Sequence, residues 1–506
     1  MAQQRQNIYI AAPGFKGLNT QDSPVTQDPA FASVAENAVI DKFGRIAARK
    51  GIKKITSSAT PLGSSSGIEA VFEFCARNGT KTVFSAGNNK IFTGTSTLSE
   101  VTLPGGYSIT ANNWKIVSFN NDVYFFQSGH AALMSVAGST TLTAVTQGGH
   151  AAPEANEALA AFGRVWAADV TGNKHTVYWS DLLNGHAWTG GSTGSLDLTT
   201  VFPEGFDEIV ALREFNNFLV IFCKRSILLY SGASSPASMT LSDVITGIGC
   251  IARDSVQAIG TDLIFLSDSG LRSLGRVIQE KSNPIGNVSK NVRDTLMASV
   301  TSETGIIKSV YSPEESFYLL LLPTSSEVYV FDMRGTLEDG SYRATTWKDV
   351  SLLCGTRTAD GLLYLGSSKG INQYDGFLDD TATYTIKYFT NPMSFGDPSK
   401  IKMLKEISFT VIGGSESQVI GNWAYDYKED YSTQSFTIAK SNQAEYGISE
   451  YNVATSQYGV SNVIDIASIK ATGSGKVATI GIEATIDGGS LSIQELNTEA
   501  LLGRLI

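Results

Sequence analysis

Histidine and cysteine are scarce in this 506-residue chain, four of each, and neither is placed for chemistry. His130, His150, His175 and His186 never form an HExxH pair or another ligand spacing, and three stand beside glycine, which reads as turn residues rather than metal ligands. Cys75, Cys223, Cys250 and Cys354 make no CxxC pair; three lie in apolar, strand-like surroundings, where free buried thiols are expected. No apolar run reaches the roughly 18 residues of a membrane span. The longest, 218–230, is broken by Lys224 and Arg225, and the opening MAQQRQNIYIAAP has no signal-peptide core. These absences point to a chain made, and soluble, in a cytoplasm.

Charge is also sparse, at 17% Asp, Glu, Lys and Arg, with a net of −10. An acid excess excludes a basic surface that grips nucleic acid, because phosphate binding needs Lys and Arg to displace counterions. It is compatible with an acidic wall past which DNA slides. Long Ala/Glu/Lys/Leu runs are missing while glycine numbers 49, the balance of an all-β chain with many turns.

Catalytic signatures are missing too. There is no GxSxG elbow, no GxxxxGKS loop and no GxGxxG after a strand. Ser267, Asp268, Ser269 and Gly270 are similar to the SxDxG turn of sialidase blades, but Leu271, Arg272 and Ser273 follow instead of the usual Trp, so a plain β-turn is expected. Trp179, Ser180 and Asp181 lack the Gly-His partner of a WD-type repeat. Glu314 with Glu315, and Asp379 with Asp380, are neighbours in turns, whereas glycosidase carboxylates face each other across a cleft from separate elements. These pairs are expected to be solvated. No catalytic, cofactor or metal residue is assigned.

What is present is a repeat. Between residues 68 and 376 an apolar strand, an Asn-, Asp- or Gly-rich turn, a second apolar strand and a small-residue turn recur about every 45 residues. The clearest copies are 116–136, 209–230, 256–274 and 352–374, and a sixth reads as FYLLLL, a turn at 323–326, and VYVF. Turn centres fall near Gly79, Asn121, Gly172, Asn217, Thr261, Glu315 and Asp360. One small antiparallel sheet cannot bury both faces alone, so repeats of this period predict a β-propeller of six or seven blades.

The expected organisation is an extended N-terminal segment and linker over 1–66, the propeller over 67–380, and a β-sandwich-like domain over 381–506. The N-terminal segment holds one Ala-rich stretch read as a short helix. It also holds a basic run, Lys42, Arg45, Arg49, Lys50, Lys53 and Lys54, which suits a solvated face or docking on an acidic partner. In the C-terminal part, strands are expected at 384–389, 405–411 and 463–470, with a closing pair at 478–486 and 490–496. Between them, 421–460 is polar and carries Tyr425, Tyr427, Tyr431, Tyr446, Tyr451 and Tyr458, a composition suited to an arm that contacts a partner.

The N-terminal segment has a recognisable wording. Gly14-Phe15-Lys16-Gly17-Leu18-Asn19-Thr20 precedes Asp22-Ser23-Pro24, then Ala35-Glu36-Asn37, Asp41-Lys42-Phe43-Gly44-Arg45-Ile46 and Arg49-Lys50-Gly51. This resembles the opening of tail nozzle, or tail hub, proteins of short-tailed bacteriophages, and the ending SLSIQEL is similar to theirs. Lys16 departs from the second glycine common in that turn. The resemblance implies a structural virion protein and no enzyme or cofactor: a homo-oligomer, a hexamer, beneath the head-to-tail adaptor. Such a ring would form the distal DNA channel that retains the packaged genome and releases it, would carry tail fibres or spikes, and would pass double-stranded DNA without reading its sequence. The alternative is a tail-associated carbohydrate-binding or glycan-cleaving propeller.

Overall fold

Each repeat folds as a small antiparallel sheet whose second strand is apolar on both sides, and that strand explains the ring. Phe218–Cys223 and Phe317–Leu322 are buried almost throughout because neighbouring blades cover both faces. Alternate residues serve alternate neighbours: Leu219 and Ile221 pack toward the preceding blade beside Trp166, while Val220 and Phe222 pack toward the following one beside Phe265. The computed structural model describes residues 5–24, 27–57, 62–63, 67–202, 205–279, 287–397, 399–413, 418–437 and 464–503.

Seven blades follow in chain order, with inner strands Ile68–Cys75, Lys115–Phe119, Ala155–Ala161, Ile209–Phe215, Gln257–Ile259, Lys308–Ser312 and Cys354–Arg357. Six hydrophobic clusters lie between successive blades, one of them joining Ile68 and Phe92 of blade 1 to Cys354 and Ile371 of blade 7. The remaining interface, between blades 5 and 6, is part of a larger cluster that continues into the sheets outside the ring. A ring with as many interfaces as blades is closed. The clasp is the N-terminal strand Ile52–Lys54, which pairs antiparallel with Gly370–Tyr374 as the outer strand of blade 7. Residues 52–54 therefore belong to the propeller rather than to a separate N-terminal unit.

Six of the seven expected turns join the first and second strands of a blade. The third does not: Gly172 lies after the second strand, and the equivalent turn is Phe162-Gly163, both at positive φ. A phenylalanine in that conformation gives no sequence signal, whereas Thr-Gly-Asn does.

Outside the ring, two sheets face each other. One continues from blade 6: its outer strand Tyr342–Lys348 is followed by Phe31–Glu36, Tyr384–Thr390, Ala478–Ile486, Gln418–Tyr425 and Ser432–Thr437. The opposing sheet holds Ile464–Ile469, Lys402–Gly413, Leu491–Leu502, Ile46–Ala48 and Ala38–Ile40, with Arg5–Ala11 also paired to Leu491–Leu502. Phe409, Val411, Ile480, Ile482 and Ile493 fill the space between them.

Three expectations change here. The Ala-rich stretch is the strand Phe31–Glu36, not a helix; Ala32, Ala35 and nearby Ala38 are wholly buried, and their small side chains admit close packing that overrides helix propensity. The strands at 478–486 and 491–502 are not paired with each other, because the Asp487-Gly488-Gly489 connection crosses from one sheet to the other. The polar arm also begins later than residue 421: Gln418–Tyr425 is a sandwich strand with Trp423 and Ala424 buried.

Candidate functional site

The inner strands bring single charged residues, remote in sequence, to the propeller axis. Lys115 comes from blade 2, Glu157 from blade 3, Arg213 from blade 4 and Lys308 from blade 6. Arg253 and Asp254 stand on the segment leading into blade 5. Glu157 is fully buried, and Arg213 Nη1 donates to its Oε1 at 2.8 Å while Lys115 Nζ lies 3.3 Å from Oε2. Arg253 Nη2 is 2.6 Å from Asp254 Oδ2, and Lys115 Nζ is 3.2 Å from Oδ1. Lys308 Nζ lies 3.9 Å from Asp254 Oδ2 and donates to the Glu69 carbonyl.

Arg253 also ties the ring across its axis. Its Nη1 donates to Asn156 Oδ1 at 2.9 Å and its Nη2 to Asn113 Oδ1 at 2.9 Å, which links blades 2 and 3 to the approach to blade 5. Burial would raise the Asp254 carboxyl, but the fields of Arg253, Lys115 and Lys308 outweigh it and hold the group well below the usual carboxylate range. Burial also lowers both lysines from their ordinary value. Above this cluster is a cavity of about 320 Å³, lined by Lys115, Arg213, Asp254, Lys308, Trp114 and apolar groups such as Val71 and Val310.

None of these residues stood out in the sequence. Lys115, Glu157 and Lys308 are each the single charge of an inner strand, while Arg213 has Glu214 beside it and Arg253 adjoins Asp254. The signal that could have found the first three is their recurrence near the same place in successive inner strands.

The basic run does not form one face. Arg49 has no exposed side-chain surface and makes a two-pronged contact with Asp379, so it is an internal residue and not a docking contact. Lys50 pairs with Glu315 at 2.6 Å, and Arg45 lies over the Phe43 ring at 4.4 Å. Lys42 and Lys53 are exposed, Lys54 half so. The acidic pairs in turns are likewise engaged: Glu314 holds Arg357 at 2.5 Å and Asp379 holds Arg49, so neither is simply solvated.

Among the tyrosines, Tyr425 is half-buried and its hydroxyl accepts from the Leu404 N–H at 3.2 Å. Tyr431 packs edge-on against Phe389 at 5.1 Å, and Tyr427 is 54% exposed. Tyr446, Tyr451 and Tyr458 lie outside the described residues.

The Ser267–Gly270 turn is held by Ser267, whose Oγ donates to the Gly270 carbonyl at 2.7 Å, with Gly270 at a φ of +119°. His130 is buried, its Nε2 accepting from the Thr110 N–H at 3.0 Å. Cys223, Cys250 and Cys354 are buried free thiols, while Cys75 is exposed. Among the described residues, no group of His, Cys, Asp and Glu is arranged to hold a metal ion, and no helix is long and apolar enough to cross a membrane.

No family model matches the chain, and no curated protein matches it. Among solved structures it is similar to the WD40 β-propeller domain of Doa1, at 12% identity over 64% of this chain and 96% of that one, with a TM-score of 0.38. It is also similar to the WD40 domain of Neurospora crassa Pan2, at 10% identity over 65% of this chain and 94% of that one, with a TM-score of 0.36. The seven-bladed assignment rests on the strand pairing itself.

Proposed function

We propose that this chain is a structural subunit of a short-tailed phage tail, the nozzle or hub. Six copies would enclose the distal DNA channel beneath the adaptor, hold the packaged genome and let it leave. The work is mechanical, with no reaction assigned to it.

One observation carries the reading: the residues that give the N-terminal segment its phage-like wording gather at the seam between sandwich and propeller. Phe15 is buried against Tyr388 at 5.7 Å. Gly17, at a φ of +77°, leaves only 2.6 Å between the position of a Cβ and the Ala344 carbonyl. Asn37 donates to the Thr385 carbonyl at 2.9 Å and accepts from Arg49 Nε at 3.2 Å. Lys16, the departure from the pattern, pairs with Asp28 at 2.7 Å. Wording that locks two β units into one body is what a wall element under internal pressure requires.

Two further features support it. The sandwich ends in the edge strands Ser432–Thr437 and Ile464–Ile469, on either side of the Tyr-bearing segment, with Ile464 and Ile466 more than 60% exposed. Such edges suit contact with a neighbouring copy or a fibre protein. A net charge of −10 per chain, multiplied by cyclic symmetry, gives a tube that repels DNA phosphates.

Negative-stain imaging and mass photometry of the purified full chain test this. A ring with a central hole and six-fold mass is expected. A monodisperse monomer that cleaves or binds host polysaccharide would overturn the reading in favour of a glycan-directed propeller.

A further inference from the structure

The cavity at the propeller axis is cationic although the chain as a whole is acidic. Lys115, Arg213 and Lys308 line it together with Arg357, which is paired with Glu314, and Asp254 is the one carboxylate among the lining residues; Glu157 and Arg253 are not among them. Within 4 Å of one another, four cations meet two carboxylates (Glu157 and Asp254), an excess of two. Glu69, whose field reaches Lys308, and Asp169, whose field reaches Arg253 and which also pairs with Lys174, offset part of it. A positive charge held in a closed ring, away from most of the water, is stabilised best by an anion brought to it.

We propose that this cavity binds a small oxyanion-bearing molecule, with its carboxylate or phosphate group seated between Lys115 and Lys308. Those two ammonium groups share one anchor, at 3.2 Å from Oδ1 and 3.9 Å from Oδ2 of Asp254, and both line the cavity. Lysine presents three donors, and the long 3.9 Å approach leaves Lys308 with a hydrogen available beyond its bond to the Glu69 carbonyl. Val71, Trp114 and Val310 supply an apolar wall for the organic body. At about 320 Å³ the space is at the small end for ligand pockets, which limits the guest to a molecule of metabolite size. Burial lowers both lysines from their ordinary value, in keeping with cations short of compensation. Such a ligand would bind whether or not the chain serves in a tail.

Calorimetric titration of the full chain with citrate and, separately, with inorganic phosphate tests it, with chloride at matched ionic strength as reference. Saturable binding of one equivalent of either probe per chain, absent with chloride, is expected. Citrate alone would mark a carboxylate ligand, and phosphate alone a phosphorylated one. Lys308→Met should weaken binding by about ten-fold or more. Val71→Trp, which fills the cavity and leaves every charge in place, should abolish it. If Lys308→Met does not fold, the wild-type and Val71→Trp titrations decide. No binding of either probe to the wild-type chain, or binding that survives Val71→Trp unchanged, overturns the proposal.

Discussion

Arg49 and Asp379 meet in a two-pronged contact, Nη1 to Oδ1 at 2.7 Å and Nη2 to Oδ2 at 2.6 Å, with the arginine side chain wholly buried. The Tyr384 ring lies under the guanidinium at 4.0 Å, and Asp379 Oδ1 also accepts the Ile52 N–H at 3.0 Å. One carboxylate thus pins the chain where it leaves the sandwich and enters the propeller. Asp379→Ala leaves a buried guanidinium without its anion and should cost about 3 kcal/mol, the low end for such pairs because Asp379 is partly exposed. Arg49→Lys should lose less, about 1–2 kcal/mol, since a charge stays but the planar fork and the stacking do not. Urea denaturation checks both; an unchanged midpoint in Asp379→Ala would show the pair to be incidental.

Ring closure depends on a strand about 300 residues away in sequence from its partner. Beyond the paired residues, the Ile55 N–H donates to the Ile371 carbonyl at 3.1 Å. Ile55→Pro removes that donor and is expected to cost about 3 kcal/mol. The loss should be local. Hydrogen exchange should rise in Cys354–Arg357, Leu363–Ser367 and Gly370–Tyr374 of blade 7 and in Ile68–Cys75 of blade 1, and stay unchanged in blade 3. A uniform rise around the ring would contradict closure by this strand.

The blades were legible because a strand covered on both faces writes a continuous apolar word, as in FLVIFC and FYLLLL, with turn residues at its ends. Phe162 at positive φ writes nothing, so the third turn was misplaced. The alanines of Phe31–Glu36 and the core strand hidden in a Tyr-rich passage were decided by tertiary packing, which composition does not carry. The axial charge cluster was illegible for a related reason: Lys115, Glu157, Arg213, Asp254 and Lys308 are neighbours only once the ring has closed. Asp379 looked like one half of a solvated pair, and only its distant arginine gives it meaning.

Gly51 follows Arg49 by two residues, and a Cβ on it would stand 2.0 Å from the Leu378 carbonyl oxygen. Backbone cannot move away as a side-chain tip can, so Gly51→Ala should destabilise the protein by roughly 2–4 kcal/mol. Gly79, at a φ of +86°, meets nothing within 4 Å of its Cβ position, and Gly79→Ala should cost only about 1–2 kcal/mol of left-handed strain. Thermal melts of the two variants side by side check the order. Equal losses would mean that the close approach to Leu378 relaxes freely.

The axial cluster sets a pH dependence whose sign follows from Asp254. Burial alone would raise this carboxyl, yet Arg253, Lys115 and Lys308 hold it well below the ordinary value, so the unfolded chain takes up a proton near pH 4 while the folded chain does not. Its stabilising contribution is complete above about pH 4 and drains as the pH falls toward the folded-state value. Lys115 and Lys308, lowered by burial, act at the other end: the folded chain sheds their protons first, so their share of stability rises as the pH climbs toward about 10. Asp254→Asn should therefore be less stable at pH 7, where it leaves the axial cations undercompensated, and should show a shallower loss of urea midpoint between about pH 4 and 2.5. The acid slope should not vanish, because Asp397, held at about 2 by its bonds from Ser399, titrates in the same direction in the variant. An acid slope identical to that of the wild type would mean that Asp254 is not the carboxylate whose ionisation the axial cations stabilise.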